Sequence, residues 1–300
     1  MKKIIVLIGI LTILLTGCFK RDSMEGITIY TTIYPIEFVV DWLYGDFSTV
    51  RSIYPRGVNV QLEPCIGNCP LYVLTDKQLE DFSLGELFIF NSLLHEGTYI
   101  RPMIENNRNL KIINAADNLS LDGFNGLEEM WLDPSRLMTL ARNIKNGFNE
   151  YVTNFYLRNN IIENFNQLRE ELAILDSRLT ELTKRAENKT IVVGNDVFNF
   201  LSRPKYGLNV LSLEENDNLT ERTIEQVRTL IRNGTIKYIY IRQHDEPNDT
   251  IKRLIEGTDV QIVRIHMLVN LTESEISGKQ NYFTIMNANF ELFRKSLYNH

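Results

Sequence analysis

Two series of alternating strand and helix patterns, one on each side of a long amphipathic helix, constrain the fold of this chain more than any other feature. Strand patterns rich in β-branched and apolar residues occur at 27–34, 48–55, 86–91 and 109–117, and again at 190–196, 209–213, 236–243 and 260–268. Helical patterns lie between them at 36–45, 75–83, 220–234 and 247–257. Strands that alternate with helices predict parallel sheets of βα units. The sequence therefore predicts an α/β protein with two such sheets.

The helix between the two series carries a single apolar stripe. Its residues recur at steps of three and four, which places them on one helical face: Phe165, Leu168, Leu172, Leu175, Leu179 and Leu182. A coiled-coil partner is the alternative, but the stripe is short and no long charge ladder accompanies it. The pattern favours a helix that packs along its own protein and ends near Lys189.

These patterns divide the chain into two lobes. We predict a first α/β lobe over 27–147, one long linker helix over 148–189 and a second α/β lobe over 190–300. A chain of 300 residues is long enough for two cores. Ligand sites in such folds form at the carboxyl ends of strands, in the cleft where lobes meet. We therefore expect a ligand cleft between the lobes.

The first residues predict export and lipid anchoring. Two lysines precede an apolar run at 4–15, which is too short to span a bilayer of about 30 Å and is typical of an export signal. The sequence LTGC that ends at Cys18 resembles the lipobox of bacterial lipoproteins, in which the cysteine is acylated and becomes the new N-terminus. A chance cysteine behind an ordinary signal is the alternative. We predict a signal peptide over 1–17, a tether over 18–26 and an extracytoplasmic protein anchored to the bacterial cell membrane.

The charge of the chain excludes one class of partner. The formal net charge is −6, and no concentrated positive face is visible in the sequence. Nucleic-acid binding requires such a face, so we predict no nucleic-acid partner. A mild excess of carboxylates is compatible with a cationic ligand, but it is chiefly a solubility trait.

Two further cysteines lie close together. Cys65 and Cys69 are separated by three residues and flanked by Pro64 and Pro70, which predicts a pinned surface loop. In an oxidising, exported setting such a pair favours a local disulfide. A thiolate metal site is the alternative, but no histidine or further cysteine accompanies the pair.

Several motifs together resemble a family of bacterial transport proteins. In chain order they are TTIYP at 31–35, YPRGVN at 54–59, WLDPSR at 131–136, TIVVGNDVFNFL at 190–201 and KYGL at 205–208. They are similar to motifs of the periplasmic or lipoprotein zinc- and manganese-binding components of bacterial ABC transporters, and they cover the whole mature chain. The resemblance implies a monomeric protein that captures a divalent cation between two lobes and delivers it to the subunits of a membrane permease. It also implies a small closing motion, limited by the long helix.

The resemblance further implies four metal-binding positions, filled in the family by three imidazoles and a carboxylate or a close variant. Gln61 stands at the first position when the Pro-Gly motif guides the alignment, whereas 68–70 falls there when the alignment runs backwards from the next helix. Glu129 replaces the second histidine, two residues before the tryptophan of the WLDP motif. Asn195 replaces the third histidine, and His266 stands where the family has its carboxylate.

This set of side chains is rich in oxygen. Zinc prefers tetrahedral nitrogen and sulfur ligands, whereas amide and carboxylate oxygens suit manganese, calcium or magnesium. Glu129 and His266 supply the minimum of a manganese-like site, and Cys69 would add a thiolate only if its disulfide were absent. The expected ligand is a divalent metal of the zinc or manganese class. The alternative is a chain that binds no metal.

Each candidate also has a purely structural interpretation. Glu129 is equally consistent with a solvated loop residue, Asn195 with the cap of the following helix, and His266 with a buried histidine whose hydrogen bonds are satisfied. His244 and His95 follow strands and are alternative ligands, since the chain has only 4 histidines.

Two functions follow from these observations. The first is a solute-binding lipoprotein of an ABC importer for divalent metals. The second is a degenerate family member that has lost metal binding and acts as a surface interaction or adhesion lipoprotein. We do not predict an enzyme, because the sequence contains no nucleophile elbow, no Ser-His-Asp spacing and no phosphate-binding glycine run.

Overall fold

The computed structural model describes residues 24–60, 62 and 72–298. These residues form two parallel four-stranded sheets, one in each half of the chain, with helices against both. The predicted α/β class, the two sheets and the long helix between them are confirmed. Residues of four sequence-based predictions, namely Cys18, Gln61, Cys65 and Cys69, lie outside the described part of the chain.

The first lobe is a βα sheet in the strand order β2-β1-β3-β4. Its strands are β1 (Ile27–Thr31), β2 (Ser48–Ser52), β3 (Leu87–Phe90) and β4 (Lys111–Asn114). Its helical segments are α1 (Tyr34–Tyr44), α2 (Asp76–Ser83), α3 (Ile100–Asn106), α4 (Glu129–Leu132), α5 (Pro134–Tyr151) and the 3₁₀ turns Gly45–Phe47 and His95–Tyr99. All strand pairs are parallel, so the carboxyl ends of the strands share one edge of the sheet.

Local sequence explains where the helices of this lobe begin. Pro35 lies in the first turn of α1, where its missing N–H costs no hydrogen bond. Thr75 and Gln78 form a reciprocal capping box at the start of α2. Asp133 caps α5 by accepting the Ser135 N–H, and a proline follows it in the first turn. Asp133 and Pro134 therefore mark the start of α5.

The linker differs from the single helix predicted over 148–189. Residues 148–151 end α5, and a separate helix, α6 (Phe155–Lys184), supplies the long linker. Asn154 starts α6, because its side chain accepts the N–H groups of Tyr156 and Leu157. The predicted stripe is confirmed, and all six of its residues are buried together with Leu157 and Ile161.

The second lobe repeats the architecture of the first, in the strand order β6-β5-β7-β8. Its strands are β5 (Thr190–Val193), β6 (Asn209–Ser212), β7 (Tyr238–Arg242) and β8 (Gln261–Ile265). Its helical segments are the 3₁₀ turn Asp196–Ser202, α7 (Glu221–Arg232), α8 (Asp249–Ile255), α9 (Glu273–Ser277) and α10 (Tyr282–Leu297). These strands are also parallel and share a carboxyl edge.

The two lobes are joined by one continuous apolar core. Buried residues of β1, α5, α6, β5 and α10 belong to the same hydrophobic cluster. Two hydrogen bonds between the lobes reinforce this connection: the Trp131 indole donates to the Met267 carbonyl at 2.8 Å, and the Tyr34 N–H donates to the Val269 carbonyl at 2.9 Å. Burial on this scale resists separation of the lobes.

Among the described residues, no helix combines the length and the apolar character that crossing a membrane requires.

Candidate functional site

A cleft between the lobes lies where the segments following β2, β7 and β8 meet. The first lobe contributes residues 57–60, Leu62 and Glu128. The second lobe contributes residues 242–245, Met267, Val269, Asn270 and Thr272. The cavity has a volume of about 90 Å³. Its position at the carboxyl ends of parallel strands is the one at which α/β proteins bind ligands.

An ion pair crosses this cleft. Arg242, the last residue of β7, places its Nε 2.8 Å from Oε1 of Glu128, and its Nη2 donates to Oε2 of the same carboxylate at 3.2 Å. The Glu128 side chain is 7% exposed and the Arg242 side chain 27%. Asp245 lies on the other side, with Oδ2 4.0 Å from Arg242 Nη1. One guanidinium group therefore stands between a carboxylate of each lobe.

Glu129 is buried in a second ion-pair cluster. It has no exposed area, so the solvated-loop interpretation is wrong. Its Oε1 lies 2.9 Å from Arg136 Nε and is also contacted by Arg203 Nη2 of the second lobe. Its Oε2 accepts hydrogen bonds from the Asn125 backbone and side chain at 3.1 and 3.2 Å. Arg203 also pairs with Asp133 at 3.0 Å. Both oxygens of Glu129 are thus used by protein groups.

Asn195 positions the end of β7, where Arg242 lies. Its Oδ1 accepts the Arg242 backbone N–H at 3.0 Å, and its Nδ2 donates to Asp245 Oδ2 at 3.0 Å. It stands before the 3₁₀ turn Asp196–Ser202, but its side chain makes no capping hydrogen bond. The capping interpretation is therefore wrong, and the residue acts through a contact between two strand ends.

His266 has both ring nitrogens occupied. Nδ1 accepts the Leu268 N–H at 2.9 Å, and a backbone N–H can only donate, so Nδ1 carries no proton. The proton on Nε2 then points to Oε1 of Glu275, 3.1 Å away. Burial lowers the pKa of His266, although Glu275 opposes the shift. A neutral histidine that holds the turn at Leu268 agrees with the satisfied-histidine interpretation.

The two alternative histidines differ in position. His244 lines the cleft, and its Nε2 lies 2.7 Å from the amide nitrogen of Gln243. His95 begins a 3₁₀ turn of the first lobe and packs edge-on against Tyr99, with ring centroids 5.4 Å apart. Its Nδ1 is buried and makes no hydrogen bond within the described part of the chain. Burial lowers the pKa of His95.

The structure does not bring the predicted ligands together by direct bonds. Within residues 24–60, 62 and 72–298, no hydrogen bond or ion pair joins Glu129, Asn195 and His266 to one another. No three His, Cys, Asp or Glu side chains of these residues form a group that could hold a metal ion. Arg242 supplies the guanidinium group that lines the described cleft.

The arginines are the functional candidates that sequence reasoning missed. Arg242 carried a signal, since an arginine that ends the apolar strand YIYIR must place a permanent charge at a sheet edge. Arg203 carried none, because its contact with Glu129 joins residues 74 positions apart.

Two βα lobes around a cleft at their strand ends define a two-lobed α/β protein with its candidate ligand site between the lobes. The family model for ZnuA, described as zinc-uptake complex component A, periplasmic, matches residues 29–296. The chain therefore belongs to the ZnuA family, and the predicted resemblance is confirmed.

Known relatives agree with this assignment. The zinc-binding lipoprotein AdcA of Streptococcus pneumoniae is 23% identical over an alignment 327 residues long. The alignment covers 99% of this chain and 61% of the relative. Across the curated relatives that it matches, the chain spans from 32% to 61% of their length.

Two solved structures show the same fold. The Zn(II)-bound ZnuA-like domain of Streptococcus pneumoniae AdcA has a TM-score of 0.67 and 19% identity, with 91% of this chain and 99% of that domain covered. The laminin-binding protein Lmb of Streptococcus agalactiae, described as bifunctional with adhesin and metal-transporting activity, has a TM-score of 0.68 and 18% identity, with 91% and 100% covered.

Proposed function

We propose that the chain is the extracytoplasmic solute-binding component of a bacterial ABC importer of the divalent-metal class. It is anchored to the membrane through Cys18 and docks as a monomer on the permease subunits. The observation that carries the proposal is the cleft formed where strand ends of both lobes meet, in a chain that matches the ZnuA family over 29–296. The AdcA lipoprotein and the Zn(II)-bound AdcA domain support the same role.

Co-purification tests the permease partnership. The full-length protein, crosslinked in intact cells and isolated from membranes, is expected to recover subunits of an ABC permease. A variant with Cys18→Ala serves as the matched control, because it lacks the anchor and is expected to lose membrane association. Recovery of the lipoprotein without any permease subunit would contradict the proposed role.

The proposed cargo class is a divalent cation, zinc or manganese. A cavity of about 90 Å³ suits an ion with a few waters, and it is far smaller than pockets for drug-sized organic ligands. The described ligand positions are nevertheless already engaged, since Glu129 holds two arginines and His266 holds Glu275. We therefore propose that this cleft captures zinc or manganese weakly. Docking on the permease is the activity that the protein retains.

Metal titration tests this weak capture. We expect that zinc or manganese at about 100 μM changes the Tm of metal-stripped protein by less than about 1 °C, since a site that is mostly empty adds little stability. His266→Ala is expected to leave the metal response unchanged. Calorimetric binding of either cation with a dissociation constant near 1 nM would contradict the proposal.

A second candidate function is a surface interaction lipoprotein that has lost metal capture altogether. The observation that favours it is the burial of Glu129 between Arg136 and Arg203. Laminin is a suitable probe, because the structurally similar Lmb is described as laminin-binding. Saturable laminin binding by the stripped protein, retained in Glu129→Ala, together with absence of permease subunits in the crosslinked sample, would favour this candidate over the importer.

A further inference from the structure

Arg242 lies in the cleft between the lobes, at the carboxyl ends of parallel strands, where α/β proteins bind ligands. It ends β7 at the carboxyl edge of the second sheet, and its guanidinium group lines the cleft together with Glu128, His244 and Asp245. Two of its nitrogens contact the two oxygens of Glu128 from the first lobe, and a third faces Asp245. Its position is fixed by Asn195, which binds both the Arg242 N–H and the Asp245 carboxylate.

The chemistry of this arrangement is that of a bound cation. A guanidinium group stays protonated at every physiological pH, and its planar fork matches the two oxygens of a carboxylate. Partial burial weakens the screening of the charge by water, so a divalent cation entering beside Arg242 meets a strong repulsion. Glu128, the carboxylate that would attract such an ion, is already neutralised at 2.8 Å.

We propose that Arg242 is the resident cation of this cleft: it joins the two lobes through Glu128 and weakens the binding of divalent metal ions in the space between them. This inference rests on the proposed function only in treating the cleft as the cargo site of the family. It assigns the metal selectivity of the cleft to one residue at the end of a strand, outside the four positions expected to hold the ion.

Cation rescue of an Arg242 variant tests the proposal. In Arg242→Ala the carboxylates of Glu128 and Asp245 lose their shared positive charge, and the Tm is expected to fall by about 5 °C. Manganese at about 1 mM is expected to restore at least half of that loss, because the ion takes the vacated position. The same manganese is expected to leave the wild-type Tm unchanged. A salt bridge with a purely structural role would give the fall in Tm without the rescue by manganese.

Matched variants make the result specific. Arg228→Ala removes an exposed arginine that pairs with Glu225 within α7, and it should change neither the Tm nor the manganese response. The double variant Glu128→Gln/Arg242→Ala should lose the rescue, since the first-lobe carboxylate is gone. Where Arg242→Ala does not fold, Arg242→Gln carries the same test with the side-chain volume retained.

The outcomes separate this inference from the proposed function. The inference is overturned if neither Arg242 variant gains a manganese response, or if manganese raises the Tm of the wild type as much as that of the variant. Permease co-purification reports independently on the proposed function. Manganese rescue without recovery of permease subunits supports the inference and contradicts the importer function. Recovery of permease subunits without manganese rescue supports the importer function and contradicts the inference.

Discussion

Replacing Glu129 by alanine is expected to lower the free energy of unfolding by about 3 kcal/mol. The carboxylate has no exposed area and is shared by Arg136 and Arg203, while Asn125 donates two hydrogen bonds to it. Its removal leaves two guanidinium groups without this partner and opens a small cavity. Both arginine side chains remain about a quarter exposed, at 28% and 27%, so water compensates part of the loss and keeps the effect at the lower end of the range for buried pairs.

Denaturant unfolding of metal-stripped protein measures this effect. Glu225→Ala is the matched control, because Glu225 pairs with Arg228 on the exposed surface of α7 and its loss is expected to change the stability by less than about 0.5 kcal/mol. A Glu129 that served as a metal ligand would behave in the opposite way. Its alanine variant would match the wild type without metal and would differ only after zinc or manganese is added.

Much of the fold was predictable because its signals are local. The strands β5 and β7 are short apolar runs, and α7 lies between a threonine cap and Gly234. The hydrophobic pattern and the residues that begin and end the helix therefore define these elements without knowledge of the rest of the chain. The break before α6 was missed although its signal was present: Asn154 precedes the helix and caps it. An apolar pattern continued across that break, and the pattern outweighed the cap.

The candidate site was predictable as positions but not as contacts. The WLDP motif located Glu129, yet nothing near it in sequence indicates that Arg203 of the other lobe neutralises its charge. The partners of Asn195 were not predictable either. An asparagine at the end of a strand usually caps a helix, whereas here residues of a neighbouring strand end form its hydrogen bonds. Which charges meet is decided by the packing of the lobes, and residue type alone does not encode it.

A different buried carboxyl lies at the strand ends of the first lobe. Glu96 is 1% exposed, in the 3₁₀ turn that follows β3, and Thr32, Tyr54 and Tyr99 are buried in the same lobe. Neither carboxyl oxygen has an aligned hydrogen-bond partner among the described residues, although the Thr32 hydroxyl lies nearby. Burial raises the pKa of Glu96 to about 8 from its ordinary 4.5, so the folded protein holds this proton at neutral pH.

This raised pKa predicts that stability falls as the pH rises. Below the unfolded pKa of 4.5 both states hold the proton, and the stabilising contribution of Glu96 is complete. Between that value and about 8 the unfolded chain releases the proton while the folded chain keeps it. The free energy of unfolding therefore decreases with pH across this window, by at most about 1.4 kcal/mol per pH unit.

Glu96→Gln is expected to remove this dependence and to stabilise the protein by about 2–3 kcal/mol near pH 7, because a neutral amide replaces a carboxyl that only the unfolded chain can ionise freely. Denaturant unfolding between about pH 7 and pH 8 isolates the effect, since burial lowers the pKa values of His95 and His266 and keeps both neutral there. Glu105→Gln is the control, because that carboxylate pairs with Arg101 on the surface. Parallel pH profiles for wild type and Glu96→Gln would show that Glu96 is ionised in the folded protein, and the first lobe would then have to supply a cation to it.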